Sequence, residues 1–377
     1  MRADAPATSL RAAIEDAAIL VTTGAGGVGK TTTAAAIGLA AAAAGRRTLV
    51  LTIDPARRLA QAMGLDTLDH ELRRIPVEGP GELWASMLDM QSTFDTLIDT
   101  HARSAEQATA IKTNRIYRTL SSTLSGTQEY MAMERLYALH LEGDYDLLVI
   151  DTPPTRSALD FLDAPQRMSS FLEGKLLRAL LKPVMATGRG YLKVVGVGAT
   201  AFMKIAGRVT GMELLVDLAD FFRNFEGMYE GFKQRADATL DLLTQPSSRF
   251  VIVTAPEPPP LREAHFFLER LEQQGLHAAG VVVNRMQPEV VGAPSDAVLR
   301  AAAQRLEGVD EGNRAAAGGL RLLADVRALA DRERQAVDAA LYGLHLRALV
   351  EVPLLRTDVH DLPTLATIAD RLVGRDR

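Results

Sequence analysis

The chain of 377 residues contains no cysteine, a single tryptophan and only 5% aromatic residues. Without cysteine there is no disulfide, no thiolate nucleophile and no thiolate metal site. Basic residues do not predominate either: 42 Lys and Arg stand against 47 Asp and Glu, a formal net charge of −5. That balance argues against a general nucleic-acid binder, which would carry a strong positive excess. The first twenty residues, MRADAPATSLRAAIEDAAIL, lack the basic, apolar and cleavage regions of a secretory signal, so a cytoplasmic location is expected. No long apolar run is present. The nearest, Tyr191–Ile205, is too short for a membrane span and has Lys193 and Lys204 near its ends. With 47% hydrophobic and 24% charged residues, the composition is that of a globular protein.

What the chain does have is concentrated at Val21–Thr33, VTTGAGGVGKTTT. Gly24, Gly29, Lys30 and Thr31 fill the pattern G-x-x-x-x-G-K-[ST]. An apolar run, Ala17–Thr22, precedes it, and an Ala-rich helical stretch, Thr31–Ala44, follows. Strand, glycine-rich turn and helix are the context in which this pattern is a phosphate-binding P-loop. Glycines let consecutive N–H groups curl inward toward phosphate oxygens. The helix start adds the positive end of its dipole. Lys30 can reach the β- and γ-phosphates, and the Thr31 hydroxyl can ligate Mg²⁺.

Further apolar runs mark strands at Arg47–Ile53, Leu83–Leu88, Asp146–Ile150, Arg249–Thr254, Gly280–Asn284 and Ala348–Val352. Asp54 follows the second run directly, at the strand tip where open α/β sheets place ligands. Asp151 follows DLLVI, the Walker B shape, and can hold the water shell of Mg²⁺ beside the γ-phosphate. Alternation then stops. The stretch 164–245 reads as a helical insertion, in which Leu214, Leu215, Leu218, Phe221, Phe222, Phe225, Met228 and Phe232 form a wide apolar face. A second helical insertion is expected at 293–346, and Leu362–Leu372 closes the chain as a helix. The expected fold is a single α/β P-loop NTPase domain over 1–377: a mostly parallel central sheet, helices on both faces, and two helical insertions.

The set Gly24–Thr32, Asp54–Ala56, Asp151–Leu159, Asn284 and Pro353 resembles the ArsA/Get3 family of ATPases, over essentially the whole chain. GGVGKTT marks the wider group of dimeric P-loop ATPases; followed by TIDPA and DTPPT, it marks this branch, and the overall pattern resembles its cysteine-free bacterial, mostly actinobacterial-type, members. The resemblance implies a Mg-dependent ATPase working as a nucleotide-driven dimeric switch. Gly26, Gly27, Val28, Gly29, Lys30, Thr31 and Thr32 would wrap the phosphates. Asp54 would orient the attacking water from switch I, with Lys30 as the second catalytic group. Thr31 and Asp151 would hold Mg²⁺. Asn284 would read adenine, and the loop from Pro353 would line the adenine pocket.

The chain also departs from the family. A lysine usually precedes the paired glycines and reaches a partner's phosphates; here Ala25 stands there. Pairing with a paralogous chain, substitution by Arg57 or Arg58, or slow hydrolysis in a nucleotide sensor would each account for it. Arg57 and Arg156-Ser157 also stand where the family has other residues. Cysteine-held arsenite and zinc are excluded. By resemblance, the insertion would offer a groove to a hydrophobic protein segment, with Met168, Met185, Met203, Met212 and Met228 as adaptable lining. The same apolar face also fits core or dimer packing. Two functions therefore stand open. One is an ATPase handling a hydrophobic client, as a homodimer or a heterodimer. The other is a regulatory or motor ATPase subunit of a membrane-associated assembly, peripheral at the inner face of the membrane.

Overall fold

The computed structural model describes residues 6–54, 58–118, 127–152, 217, 220–221, 223–225, 228–289, 292, 294–307 and 311–375. They form two compact units. The first holds residues up to Met87, the segment from Gly143, and everything from Leu243 onward. The second holds Leu88–Glu142 and the described part of 160–242.

The first unit is built on one sheet. In chain order its strands are β1 (Ile19–Thr23), β2 (Arg47–Thr52), β3 (Arg73–Ile75), β4 (Glu82–Met87), β5 (Leu147–Asp151), β6 (Ser248–Thr254), β7 (His277–Met286) and β8 (Leu349–Pro353). Their spatial order is β3-β4-β2-β5-β1-β6-β7-β8. All neighbours are parallel except β3 and β4. The runs ILVTT and LLVID are buried at every position, as expected for central parallel strands covered on both faces. β1 lies between β5 and β6, with Ile19 paired to Leu148 on one side and to Ser248 on the other. The strand order reverses around β1, so its C-terminal tip is the crevice where such folds bind ligands.

Seven of the eight strands coincide with apolar runs in the sequence. β3 does not: Arg73-Arg74-Ile75 has no apolar run, because it is an antiparallel edge strand with one buried side chain. β7 is also longer than its apolar run, beginning at His277.

Short helix α1 (Arg11–Asp16) precedes β1, and α2 (Lys30–Ala43) follows it. Alanines and Ile37 leave α2 buried on almost every side, so its mean surface is apolar without a polar face. Gly38 lets it press onto the sheet: a Cβ there would lie 2.4 Å from a Val50 methyl. α3 (Arg58–Ala62) follows β2, α8 (Pro258–Gln273) follows β6, α9 (Asp296–Leu306) and α10 (Glu311–Leu341) lie between β7 and β8, and α11 (Leu362–Leu372) ends the unit. α2 and α11 share one face with Val50, Val149, Val251 and Val253. Phe250 alternates to the opposite face and meets Phe267 of α8 at 6.2 Å between ring centroids. Helices thus cover both faces of a mostly parallel sheet. Of these, α9 packs on α10.

The second unit is helical where described: α4 (Met90–His101), α5 (Ala105–Thr113), α6 (Thr127–Glu142) and α7 (Tyr229–Thr244), which runs into the first unit. Asp89 and Ser104 cap α4 and α5 by accepting from backbone N–H groups. Its core is aromatic. Phe94, Tyr117, Tyr130, Phe221, Phe225 and Phe232 are all buried, and Phe232 packs against Phe94, Tyr130 and Phe225. The described members of the apolar face, Phe221, Phe225, Met228 and Phe232, are therefore core residues. Its remaining members (Leu214, Leu215, Leu218 and Phe222), Tyr191–Ile205, and Met168, Met185, Met203 and Met212 lie outside the described residues. Among the described residues, no helix is long and apolar enough to cross a membrane.

Candidate functional site

The loop between β1 and α2 is shaped by what surrounds each glycine. Gly24 leaves β1 at φ 148°, and a Cβ on it would lie 2.0 Å from the Val253 carbonyl oxygen of β6. Gly29 sits at φ 99° as the N-cap of α2 and brings no capping side chain. The first N–H groups of the helix therefore face the loop without side-chain partners, an anion-binding arrangement. Lys30 is buried, 6% exposed, and its ammonium donates to the carbonyls of Gly24 at 3.0 Å and Ala25 at 2.8 Å. Burial pulls its pKa below the ordinary lysine value, against the opposing field of Asp151.

Asp151 ends β5 and is fully buried. Thr52, at the tip of β2, donates its hydroxyl to Asp151 Oδ2 at 2.9 Å. Burial nevertheless pushes the carboxyl up to about 6, with Thr31, Thr52 and Lys30 pulling the other way. Asp151 Oδ1 has no hydrogen-bond partner although it is buried. An orphaned carboxylate oxygen close to a threonine hydroxyl at a phosphate loop is the hard-oxygen donor set that suits Mg²⁺. Thr31 and Asp151 thus fit that ion.

Asp54 follows β2 and is tied to the same strand tip, its N–H donating to the Thr52 hydroxyl at 3.3 Å. Arg58 Nη1, one helical turn on, lies 3.7 Å from Asp54 Oδ2. Gly27, Gly29, Lys30, Thr31, Thr32, Asp54 and Arg58 line one open cleft of about 280 Å³, with Thr152 and Val359 at its wall. That is below the roughly 300–1,000 Å³ of pockets that enclose whole small ligands. Its size and donors suit a phosphate tail, with the rest of a ligand outside it.

The far side of the loop is held by the tip of β7. Asn284 donates from Nδ2 to the Val28 carbonyl at 2.9 Å, and its Oδ1 accepts the Arg285 N–H at 3.0 Å. Arg285 takes φ 63°, a left-handed conformation uncommon outside glycine, and its guanidinium donates to the Gly27 carbonyl at 2.8 Å. A Cβ on Gly29 would come within 2.2 Å of Asn284 Nδ2, so the glycine is what lets this clamp close. The sequence offers Asn284 through its place after a strand; nothing in the residue string singles out Arg285.

Lys30, Thr31, Thr32, Gly27, Gly29 and Asp54 are thus brought together, and Asp151 joins them through Thr52 and Lys30. Val28 is buried and contributes its carbonyl to the clamp. Gly26 belongs to the loop but does not line the cleft. Pro353 is elsewhere: it lines a second cleft of about 510 Å³ with Met286, Leu355, Arg334 and Arg371. Arg57, Arg156 and Ser157 lie outside the described residues.

A family profile described as "Anion-transporting ATPase" matches residues 17–308, from the start of β1 through α9. The chain belongs to this family. It is 26% identical over 280 residues to a protein of Aquifex aeolicus (strain VF5) that carries the name of the arsenical pump-driving ATPases, covering 72% of this chain and 64% of that protein. It is 24% identical over 263 residues to the ATPase GET3 of Malassezia globosa, covering 70% of this chain and 71% of that protein. A Streptomyces coelicolor protein is 28% identical over 280 residues, covering 73% of this chain and 64% of that protein. The chain spans 38% of the length of a Halobacterium salinarum relative, so relatives in this family differ widely in length. The match agrees with the P-loop fold, and the matched segment includes the tips of β1, β2 and β5.

Proposed function

We propose that this chain binds Mg-ATP and hydrolyses it to ADP and phosphate. The buried Lys30, reaching over a glycine loop at a helix N-terminus and opposed by the buried Asp151, is the observation that carries this reading. In it, the Lys30 ammonium leaves the Gly24 and Ala25 carbonyls for the β- and γ-phosphate oxygens. The N–H groups of Gly27 through Thr32 receive the remaining phosphate charge. Thr31 and Asp151 would hold the metal, which would neutralise phosphate charge. The Asp54 carboxylate accepts a hydrogen bond from the attacking water and orients it. Asn284 keeps one N–H and one Oδ1 lone pair beyond its clamp bonds, a donor and an acceptor for the edge of adenine.

Loss of the γ-phosphate would release groups at the tips of β2 and β5, and the dimeric switch of the family would follow from that release. The resemblance to the ArsA/Get3 ATPases supports this reading by analogy, as it does the handling of a hydrophobic client. The buried state of Phe221, Phe225, Met228 and Phe232 favours packing over a groove for that part of the helical unit. A docked regulatory ATPase therefore stands beside the client-handling one. The hydrolysis itself is tested by Lys30→Ala. We expect loss of Mg-ATP turnover, with the protein still folded by circular dichroism; turnover at the parent rate would overturn the assignment.

A further inference from the structure

Ala25 offers no charge to the phosphates: its side chain is an 8%-exposed methyl, and its carbonyl is taken by Lys30. Among the described residues that line the phosphate cleft there are two cations, Lys30 and Arg58. Lys30 rises from the loop itself. Arg58 comes from the opposite wall, as the first residue of α3, one turn past Asp54. Its side chain is 57% exposed, whereas that of Asp54 is 14% exposed, so the guanidinium is the solvated member of the pair. At 3.7 Å the contact is well beyond the 2.7–2.9 Å of a charge-assisted hydrogen bond. Such a loose, half-solvated pair is worth little and is readily exchanged. Arg285, the other arginine at the loop, is committed to the Gly27 carbonyl and does not line the cleft.

Resting on the ATPase reading, we propose that Arg58 is a catalytic residue that passes from Asp54 to the γ-phosphoryl oxygens when a triphosphate enters. The planar fork of the guanidinium meets the oxygens on which transition-state charge accumulates. The oxygen of the attacking water forms its bond to the γ-phosphorus as the bond to the β–γ bridging oxygen breaks. That electron pair stays on ADP, and the water proton passes to the phosphate. A diphosphate has no group to draw Arg58 away, so the Asp54–Arg58 pair persists with ADP and the two nucleotides are told apart. The field of Arg58 already reaches the loop, where it depresses the Lys30 pKa after the larger effects of burial and Asp151.

The test uses the full chain and three readouts: ATP turnover, affinity for Mg-ADP, and affinity for the transition-state mimic ADP–aluminium fluoride. Arg58→Ala is expected to lower turnover by about 10²–10³-fold, at or below the range seen when an arginine is supplied to a phosphoryl-transfer site. Mg-ADP affinity should change less than about 3-fold, and the preference for ADP–aluminium fluoride over ADP should be lost. Arg58→Lys should restore only part of the rate, because an ammonium is a point charge without the fork. Turnover of Arg58→Ala within about 3-fold of the parent, or equal losses in Mg-ADP affinity and turnover, would overturn the proposal while leaving the ATPase reading intact. A parent chain that binds neither ATP nor the mimic would bring down both.

Discussion

Replacing Gly29 by alanine, beside the same change at Gly27, separates backbone strain from the β7 clamp. Both glycines have positive φ, 99° and 76°, so each alanine suffers left-handed strain of about 1–2 kcal/mol. At Gly27 the new methyl meets nothing within 4 Å, and strain is the whole effect. At Gly29 it meets Asn284 Nδ2 at 2.2 Å, so the amide must move. Moving it breaks the bond to Val28 and the bond from Arg285, each worth about 0.5–1.5 kcal/mol. Gly29→Ala should therefore destabilise by about 2–5 kcal/mol, and Gly27→Ala by about 1–2. Trp84, the only tryptophan, lies in β4 of this unit, so urea unfolding followed by its fluorescence is a suitable assay. In the double variant Gly29→Ala with Asn284→Ala the collision disappears, and the combined loss should be smaller than the sum of the two single losses. Equal losses at Gly27 and Gly29, or strict additivity in the double variant, would refute the clamp.

Two further perturbations probe the carboxylates. Asp54→Asn should slow ATP hydrolysis by two or more orders of magnitude, as expected for loss of a group that positions the nucleophile, while Mg-ATP affinity changes little; equal losses in rate and affinity would remove its water-orienting role. Asp151→Asn should abolish Mg-dependent turnover yet stabilise the nucleotide-free protein. Burial raises its carboxyl from an ordinary 3.8 to about 6, so ionised Asp151 destabilises the fold increasingly as pH climbs between those values. A less stable asparagine variant in metal-free urea titrations at pH 7 would show that the carboxylate is satisfied in the resting protein.

Much of the first unit is legible in the sequence because central parallel strands are buried on both faces and so are written as unbroken apolar runs. Ile19–Thr23, Leu147–Asp151 and Val281–Val283 are of this kind. Arg73-Arg74-Ile75 is not, since an edge strand with two exposed arginines needs only its neighbour's backbone. The same division runs through the site. Gly24, Gly29, Lys30 and Thr31 are legible because phosphate chemistry demands those residue types at that spacing. Arg285 is invisible, because what matters is a left-handed backbone and a guanidinium reaching a residue 258 positions away. Arg58 stands between: its place after Asp54 makes it a candidate, and its position at the cleft wall is a tertiary fact. Periodicity reads the apolar face around Phe225 as amphipathic; burial among Phe94, Tyr130 and Phe232 is a tertiary fact that no period encodes.

The cleft also explains why binding and stability are one quantity here. Lys30 and Asp151 are both withdrawn from water, and burial shifts each toward its neutral form, the lysine down and the aspartate up. Their mutual attraction relieves this only in part. Lys30 is left with two carbonyls as partners, and Asp151 Oδ1 with none. A chain selected for stability alone would place apolar side chains at such positions, since a buried ion pair seldom outweighs its desolvation. Retention of both charges makes sense if an occupant completes them, a polyanion for the lysine and a hard cation for the aspartate. Each supplies what the other side chain lacks, so the two should bind with positive cooperativity. On the proposed ATPase reading, the free energy that the fold forgoes at these two charges would reappear as affinity for the metal–nucleotide pair.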